Sequence, residues 1–273
     1  MPTMLVLVSA SGGGTAPVVP VVGAPAPMLM SRSVSLVKAF YARPETTATV
    51  PPAPGALQIA SPPPTGSVPA TAPGTTTLAT LTSDVSGSAG PGLAPGTTVP
   101  ASWYGYRSTL PVIDQRPGWV EVRLAQRPNQ STVWVPANRV TFSSTPYRLV
   151  LSLGAERMQL LRYDQPILNV PAGIGTVGDP TVTGHYFVTM KVPPPDPGYG
   201  PFVLATSAHS DTITDWARSG DAIIAIHGPI DSHADALIGK TGARISHGCI
   251  RLHDADLAQL GAVPAGTPLD VVP

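Results

Sequence analysis

Proline sets the first limit on this chain: 34 of its 273 residues, with 27 glycines beside them. Each proline fixes φ and removes a backbone donor, so long helices and unbroken central strands are excluded wherever prolines cluster. Half of the prolines fall in the first 100 residues, where only Arg32, Lys38, Arg43, Glu45 and Asp84 carry charge. Runs such as Pro51-Pro52-Ala53-Pro54-Gly55 and Ser61-Pro62-Pro63-Pro64-Thr65-Gly66 make neither a ladder nor a helix. Residues 1–98 are therefore expected to be a largely disordered spacer rich in Pro, Ala and Thr, partly polyproline-like. Ser33 to Tyr41 is the stretch within it able to form a strand or a helical turn or two. Met4 to Ala10 has the apolar run and small-residue ending of a truncated secretory signal, with no basic leader ahead of it.

Near Ser102 the composition changes, and β-branched and apolar runs begin to alternate with turn residues. Leu110–Ile113, Gly118–Leu124, Thr132–Val135 and Arg139–Phe142 read as short strands. The second alternates with period two, Trp119 and Glu121 on one face and Val120 and Val122 on the other. A polar, proline-containing turn, Arg127 to Ser131, joins the second and third. Residues 99–144 are thus expected to form a small barrel. Its Gly-Trp-Val and Trp-Val-Pro strands resemble those of bacterial SH3-like domains, which implies a wall-binding role.

Residues 145–273 read as a third, mainly β region with short helices. Tyr147–Leu153 and Arg157–Tyr163 form a hairpin about Gly154-Ala155-Glu156, and further strands are expected over 167–173, 185–191, 202–205, 222–226 and 269–272. Asp254 is placed to cap a short helix through Leu260. Val192 to Gly220, with its Pro193-Pro194-Pro195 run, is long enough to serve as a lid, and Tyr199 and Trp216 within it are candidate substrate contacts.

Composition excludes several functions. Net charge is zero, so no electrostatic footprint for nucleic acid or an anionic membrane exists. No apolar run reaches the roughly 18–20 residues of a membrane-spanning helix. The single cysteine rules out an intramolecular disulfide and leaves either an inert thiol or a nucleophile.

The surroundings of that cysteine favour the nucleophile. Ala225-Ile226-His227-Gly228-Pro229 is followed, after an 18-residue spacer, by Ser246-His247-Gly248-Cys249-Ile250-Arg251-Leu252. A thiol with its ordinary pKa of about 8.5 is mostly protonated at neutral pH and needs a basic neighbour. His227 and His247 are both available, and spacing alone excludes neither, since residues two apart share a strand face. Gly248 lets the backbone turn beside the thiol and aim amide groups at one point. Ser246 is within reach of either imidazole. A zinc site built from Cys249 with His227, His247 and His253 lacks a second cysteine and paired-ligand spacing, and is set aside. His209 and His233 are near enough to the long loop or the spacer to be candidates for substrate contact.

The His-Gly and Ser-His-Gly-Cys pair resembles the signature of the L,D-transpeptidases, the family with the YkuD-type catalytic domain. Pro180-Thr181-Val182-Thr183-Gly184 is similar to that family's Thr-Pro-x-Gly strand, and the resemblance spans about residues 146 to 272. It implies a β-sandwich in which Cys249 attacks a peptidoglycan stem peptide, releases D-alanine and forms a thioester. His227 would be the base, oriented through the Gly228 carbonyl, and His247, Gly248 and Cys249 would form the oxyanion site with Ser246 and Arg251 in support. Arg251 stands where the common pattern has Asn, and the spacer is slightly long, which implies an added loop at Asp231 to Gly239. An amine of a second stem peptide would resolve the thioester as a 3→3 cross-link; water would make a carboxypeptidase, and a protein lysine a ligase. Carbapenems would acylate Cys249. No metal or organic cofactor is implied, the expected state is a monomer, and the expected location is extracytoplasmic. The reading of another class is an inactive wall-binding module.

Overall fold

The computed structural model of the chain describes residues 68–216 and 221–273. The signal-like segment, Ser33–Tyr41 and most of the expected spacer lie outside the described residues. The remainder is mainly β, in two lobes that share a packed junction.

The first lobe starts earlier than residue 99. Strands β1 (Thr76–Leu81), β2 (Val85–Ser88) and β3 (Pro95–Val99) fall in the sequence expected to be spacer. They join β6 (Thr109–Arg116), β7 (Trp119–Arg123), β8 (Thr132–Pro136) and β9 (Val140–Thr145) in the order β3-β2-β8-β7-β6-β1-β9. A two-strand hairpin, β4 (Ser102–Trp103) and β5 (Tyr106–Arg107), stands apart from this sheet. The spacer reading fails over 76–98 because the prolines there avoid the ladder: Pro95 opens an edge strand and Pro91 lies in a turn. Thr76-Thr77-Leu78-Ala79-Thr80-Leu81, free of proline and rich in β-branched residues, fills the gap between β6 and β9. Ala79, Leu81, Val120, Val122 and Val135 form the core of this lobe.

The second lobe contains β10 (Tyr147–Ser152), β11 (Arg157–Arg162), β12 (Gln165–Pro171), β14 (Gly184–Val192), β15 (Val203–His209), β16 (Ile223–His227), β18 (Ile250–Arg251) and β19 (Pro268–Val272). They form one sheet in the order β12-β11-β10-β19-β14-β15-β16-β18. The short β13 (Ile174–Gly175) pairs with β17 (Arg244–Ser246) beside it. Two one-and-a-half-turn helices complete it, α1 (Ser232–Leu237) and α2 (Asp254–Gln259). Where an added loop was expected at Asp231 to Gly239, Asp231 instead caps α1, its carboxylate accepting the Ala234 amide at 2.7 Å. Among the described residues no helix is long and apolar enough to cross a membrane.

Strand β14 explains how the lobes share a core. Tyr186 and Val188 enter the main core of the second lobe, while Phe187, on the opposite face, enters that of the first. A register shift between Val188 and Met190 then re-phases the strand, so that Met190 and Val192 line a third cluster. Every residue from Tyr186 to Met190 is buried as a result.

Candidate active site

His227 ends β16, and its ring is 2% exposed. A backbone carbonyl only accepts, so the 2.7 Å contact between Nδ1 and the Gly228 oxygen fixes the proton on Nδ1. Nε2 is then left with its lone pair. Burial pushes the imidazole pKa down to about 4, the carbonyl opposing and Arg251 adding to the shift. His227 is therefore neutral at physiological pH. Tyr199 covers one side of it, with ring centroids 4.7 Å apart.

Gly228 has a second task. Its amide donates to the Tyr199 carbonyl at 2.8 Å, and the Ile230 amide donates to Gly198 at 2.8 Å. These bonds pin the Pro197–Tyr199 turn over the histidine. A Cβ at Gly228 would stand 2.7 Å from the Gly200 nitrogen, so only glycine permits the approach.

Cys249 immediately precedes β18, which runs parallel to β16 with Ile226 opposite Ile250 and His227 opposite Arg251. The turn before it is held from both sides. Ser246, 2% exposed, accepts the Gly248 amide at 3.1 Å and donates to the Cys249 carbonyl at 2.5 Å. Its hydroxyl braces the turn and touches neither imidazole that the sequence offered it. On the other side the Thr181 hydroxyl donates to the Gly248 carbonyl at 2.8 Å and accepts the Gly175 amide at 2.9 Å. In a trans peptide the N–H points opposite to the C=O, so Thr181 sets the direction of the Cys249 amide. The Gly248 amide is already committed to Ser246, so the oxyanion role expected of that N–H does not fit the geometry. Gly248 itself sits at φ +109°, a conformation L side chains rarely adopt.

Cys249, His227, His247, Ser246 and Arg251 open onto one cavity of about 310 Å³. Tyr199 and Trp216 line it as well. His247 is exposed, its ring tilted against that of Trp216 with centroids 5.3 Å apart, so it stands at the mouth of the cavity, whereas His227 is buried. Arg251 is half-buried; burial lowers its pKa, while Cys249, Tyr199 and Asp231 act in the opposite sense. His209 is not a substrate contact: it is 1% exposed and engaged at the junction between lobes. His233 is exposed on α1 and does not line the cavity. Among the described residues no group of three or more His, Cys, Asp or Glu is placed to hold a metal ion.

Two features are not legible in the sequence. Thr181 was part of a recognisable segment, but nothing in its local pattern marks a hydroxyl that reaches 67 residues along the chain. Tyr104 and Tyr106, from the β4–β5 hairpin of the first lobe, line the cavity and carry no local signal at all. The Pro193-Pro194-Pro195 run of the expected lid lines the same cavity.

Residues 146–271 match the YkuD family model, described as the L,D-transpeptidase catalytic domain. The YkuD protein of Bacillus licheniformis, assigned to the L,D-transpeptidases, is 27% identical over 129 residues, 47% of this chain and 67% of that protein. Its namesake in Bacillus subtilis is 27% identical over 127 residues, 46% of this chain and 66% of that one. The chain thus spans about two thirds of the length of both. A solved L,D-transpeptidase from Mycobacterium smegmatis is 16% identical, with a TM-score of 0.37, covering 57% of this chain and 91% of the other.

Proposed function

Residues 146–271 carry an L,D-transpeptidase catalytic domain of the YkuD type, and from that premise we propose that the protein joins peptidoglycan stem peptides through a thioester on Cys249. The observation that carries the reading is the committed tautomer of His227, its Nδ1–H given to Gly228 and its Nε2 lone pair left for a thiol proton in the cavity shared with Cys249.

The chemistry follows from these groups. Sγ of Cys249 attacks the carbonyl between the third and fourth residues of a tetrapeptide stem, and the thiol proton passes to Nε2 of His227. Because His227 rests neutral, the proton moves as the S–C bond forms, and no standing thiolate–imidazolium pair is required. The tetrahedral oxyanion is met by the Cys249 amide, whose direction Thr181 sets, with the adjacent His247 amide beside it. Collapse breaks the C–N bond, His227 returns its proton to the departing D-alanine, and a thioester remains. An amine of a second stem peptide then attacks and gives a proton to His227, which passes it to the departing sulfur, restoring the thiol and leaving a 3→3 amide cross-link. Arg251 supplies positive charge beside the thiol, and Tyr199 shields the base.

Peptidoglycan lies outside the cytoplasm, so the protein works there. The first lobe, with its Trp-Val-Pro and Gly-Trp-Val strands, would add wall affinity. Incubation of the full chain with tetrapeptide muropeptides tests the reading by mass spectrometry: D-alanine release with a 3→3 dimer is expected. Release without a dimer would move the reaction to carboxypeptidase, and no release by a folded protein would leave the wall-binding module.

A further inference from the structure

The cavity above Cys249 is not made by the catalytic lobe alone. Met190 and Val192 of β14, Val203 and Ala205 of β15 and Ala225 of β16 form a buried apolar floor. Cys249 packs on that floor from one side, and Trp103 and Tyr104 of the first lobe pack on it from another. Tyr104 takes φ +50° at the tip of the β4–β5 hairpin, and Trp103 braces it edge-on with ring centroids 5.3 Å apart. Tyr106, 39% exposed, continues the same wall.

The two lobes are joined beside this wall. The loop between β7 and β8 docks on the end of β15: Arg127 pairs with Asp221 at 2.9 Å and donates to the Ser210 carbonyl at 2.7 Å. Asn129 accepts the His209 amide at 2.9 Å and donates to its carbonyl at 2.8 Å. Gln130 accepts the His185 amide at 2.9 Å. Ser210 and Ala222, beside these anchors, line the same cavity, so the docking fixes both of its walls.

The charge of the cavity selects between the two stem peptides that the reaction uses. None of the described lining residues is acidic, and the one permanent charge is the Arg251 guanidinium. An approaching ammonium acceptor meets no counter-charge there, whereas a donor ending in a carboxylate is complementary. We infer that Tyr104 and Tyr106 form a donor-specificity wall, holding the hydrocarbon portion of the acyl-donor stem peptide against the apolar floor. Donor choice is then shared between lobes, and the first lobe takes part in the reaction as well as in wall attachment. This inference rests on the acyl-transfer reading above.

The test uses the full chain with Tyr104→Ala and Tyr106→Ala made separately, each verified as folded by thermal unfolding. Loss of an aromatic contact raises the KM for a tetrapeptide donor by about three- to ten-fold, with kcat held within about twofold. The dependence on acceptor amine concentration and the acylation of Cys249 by a small carbapenem stay as in the wild type. Tyr106→Ala keeps the test available where Tyr104→Ala fails to fold, because Tyr106 is the more exposed. An unchanged donor KM in the folded variants overturns the inference while leaving the function intact. A shift in the acceptor dependence instead assigns the wall to the acceptor and overturns it equally. Absence of D-alanine release from the wild type overturns the functional reading, and the donor assignment with it.

Discussion

At the residue scale the proposed chemistry turns on a neutral His227. Its folded pKa, about 4, lies below the ordinary 6.5 because the ring is buried. Between those values the unfolded chain binds a proton that the native state refuses. The corresponding stability is complete above about pH 6.5 and is lost as pH falls toward about 4, on the order of 3 kcal/mol. Urea unfolding of the wild type and of His227→Gln at pH 7.5 and pH 4.5 isolates this contribution. The variant is expected to lose markedly less stability on acidification. Equal losses would mean that the ring is protonated without cost and is not the buried neutral base described here.

The proposed nucleophile, Cys249, is positioned at the scale of the element, by a segment that belongs to neither β16 nor β18. Residues 176–183, between β13 and β14, carry Thr181 under the Gly248 turn, where its hydroxyl satisfies one amide and one carbonyl. Thr181→Val keeps the shape and removes both bonds, leaving a buried amide and a buried carbonyl without partners. A loss of about 1–3 kcal/mol in stability is expected, with kcat for D-alanine release falling and donor KM little changed. Thr181→Ser should recover most of kcat. Recovery of stability without recovery of kcat would reduce Thr181 to a structural bond. The sequence was informative about elements of this kind wherever side chains alternate. Hairpin β10–β11, with Leu149 opposite Leu160 and Leu151 opposite Met158, was readable within a residue or two. Helix α1 was not, because six residues carry too little periodicity to stand out from a loop. Strands β1 to β3 were hidden by prolines that proved to occupy edges and turns. The Ser-His-Gly-Cys turn was legible as chemistry, but the partners of Ser246 and Gly248 depend on a turn that the sequence does not display.

At the scale of the whole molecule, the contacts between lobes are the least legible, since residues 55 to 94 positions apart build them. His209 sits at their centre. Its Nε2 donates to the Ala125 carbonyl at 2.7 Å, and its Nδ1 lies 2.7 Å from an Asp221 carboxylate oxygen. Burial would raise the Asp221 carboxyl, but His209 and Arg127 outweigh it and bring the pKa down to about 2. His209→Ala removes the partner of the Ala125 carbonyl and one of the groups facing Asp221, which keeps Arg127 and the Ala222 amide, so a loss of about 1–3 kcal/mol is expected. Differential scanning calorimetry gives the check: a lower Tm, with the first lobe released early, is predicted. A Tm within error of the wild type would show that the lobes are held by apolar packing alone.

The most direct test of the central claim is the intact mass of the full chain after exposure to a carbapenem, for the wild type and for Cys249→Ala. One stoichiometric adduct on the wild type and none on the variant is the predicted result. No adduct on a folded wild type, or an adduct that survives Cys249→Ala, would contradict the assignment of Cys249 as the acylated nucleophile.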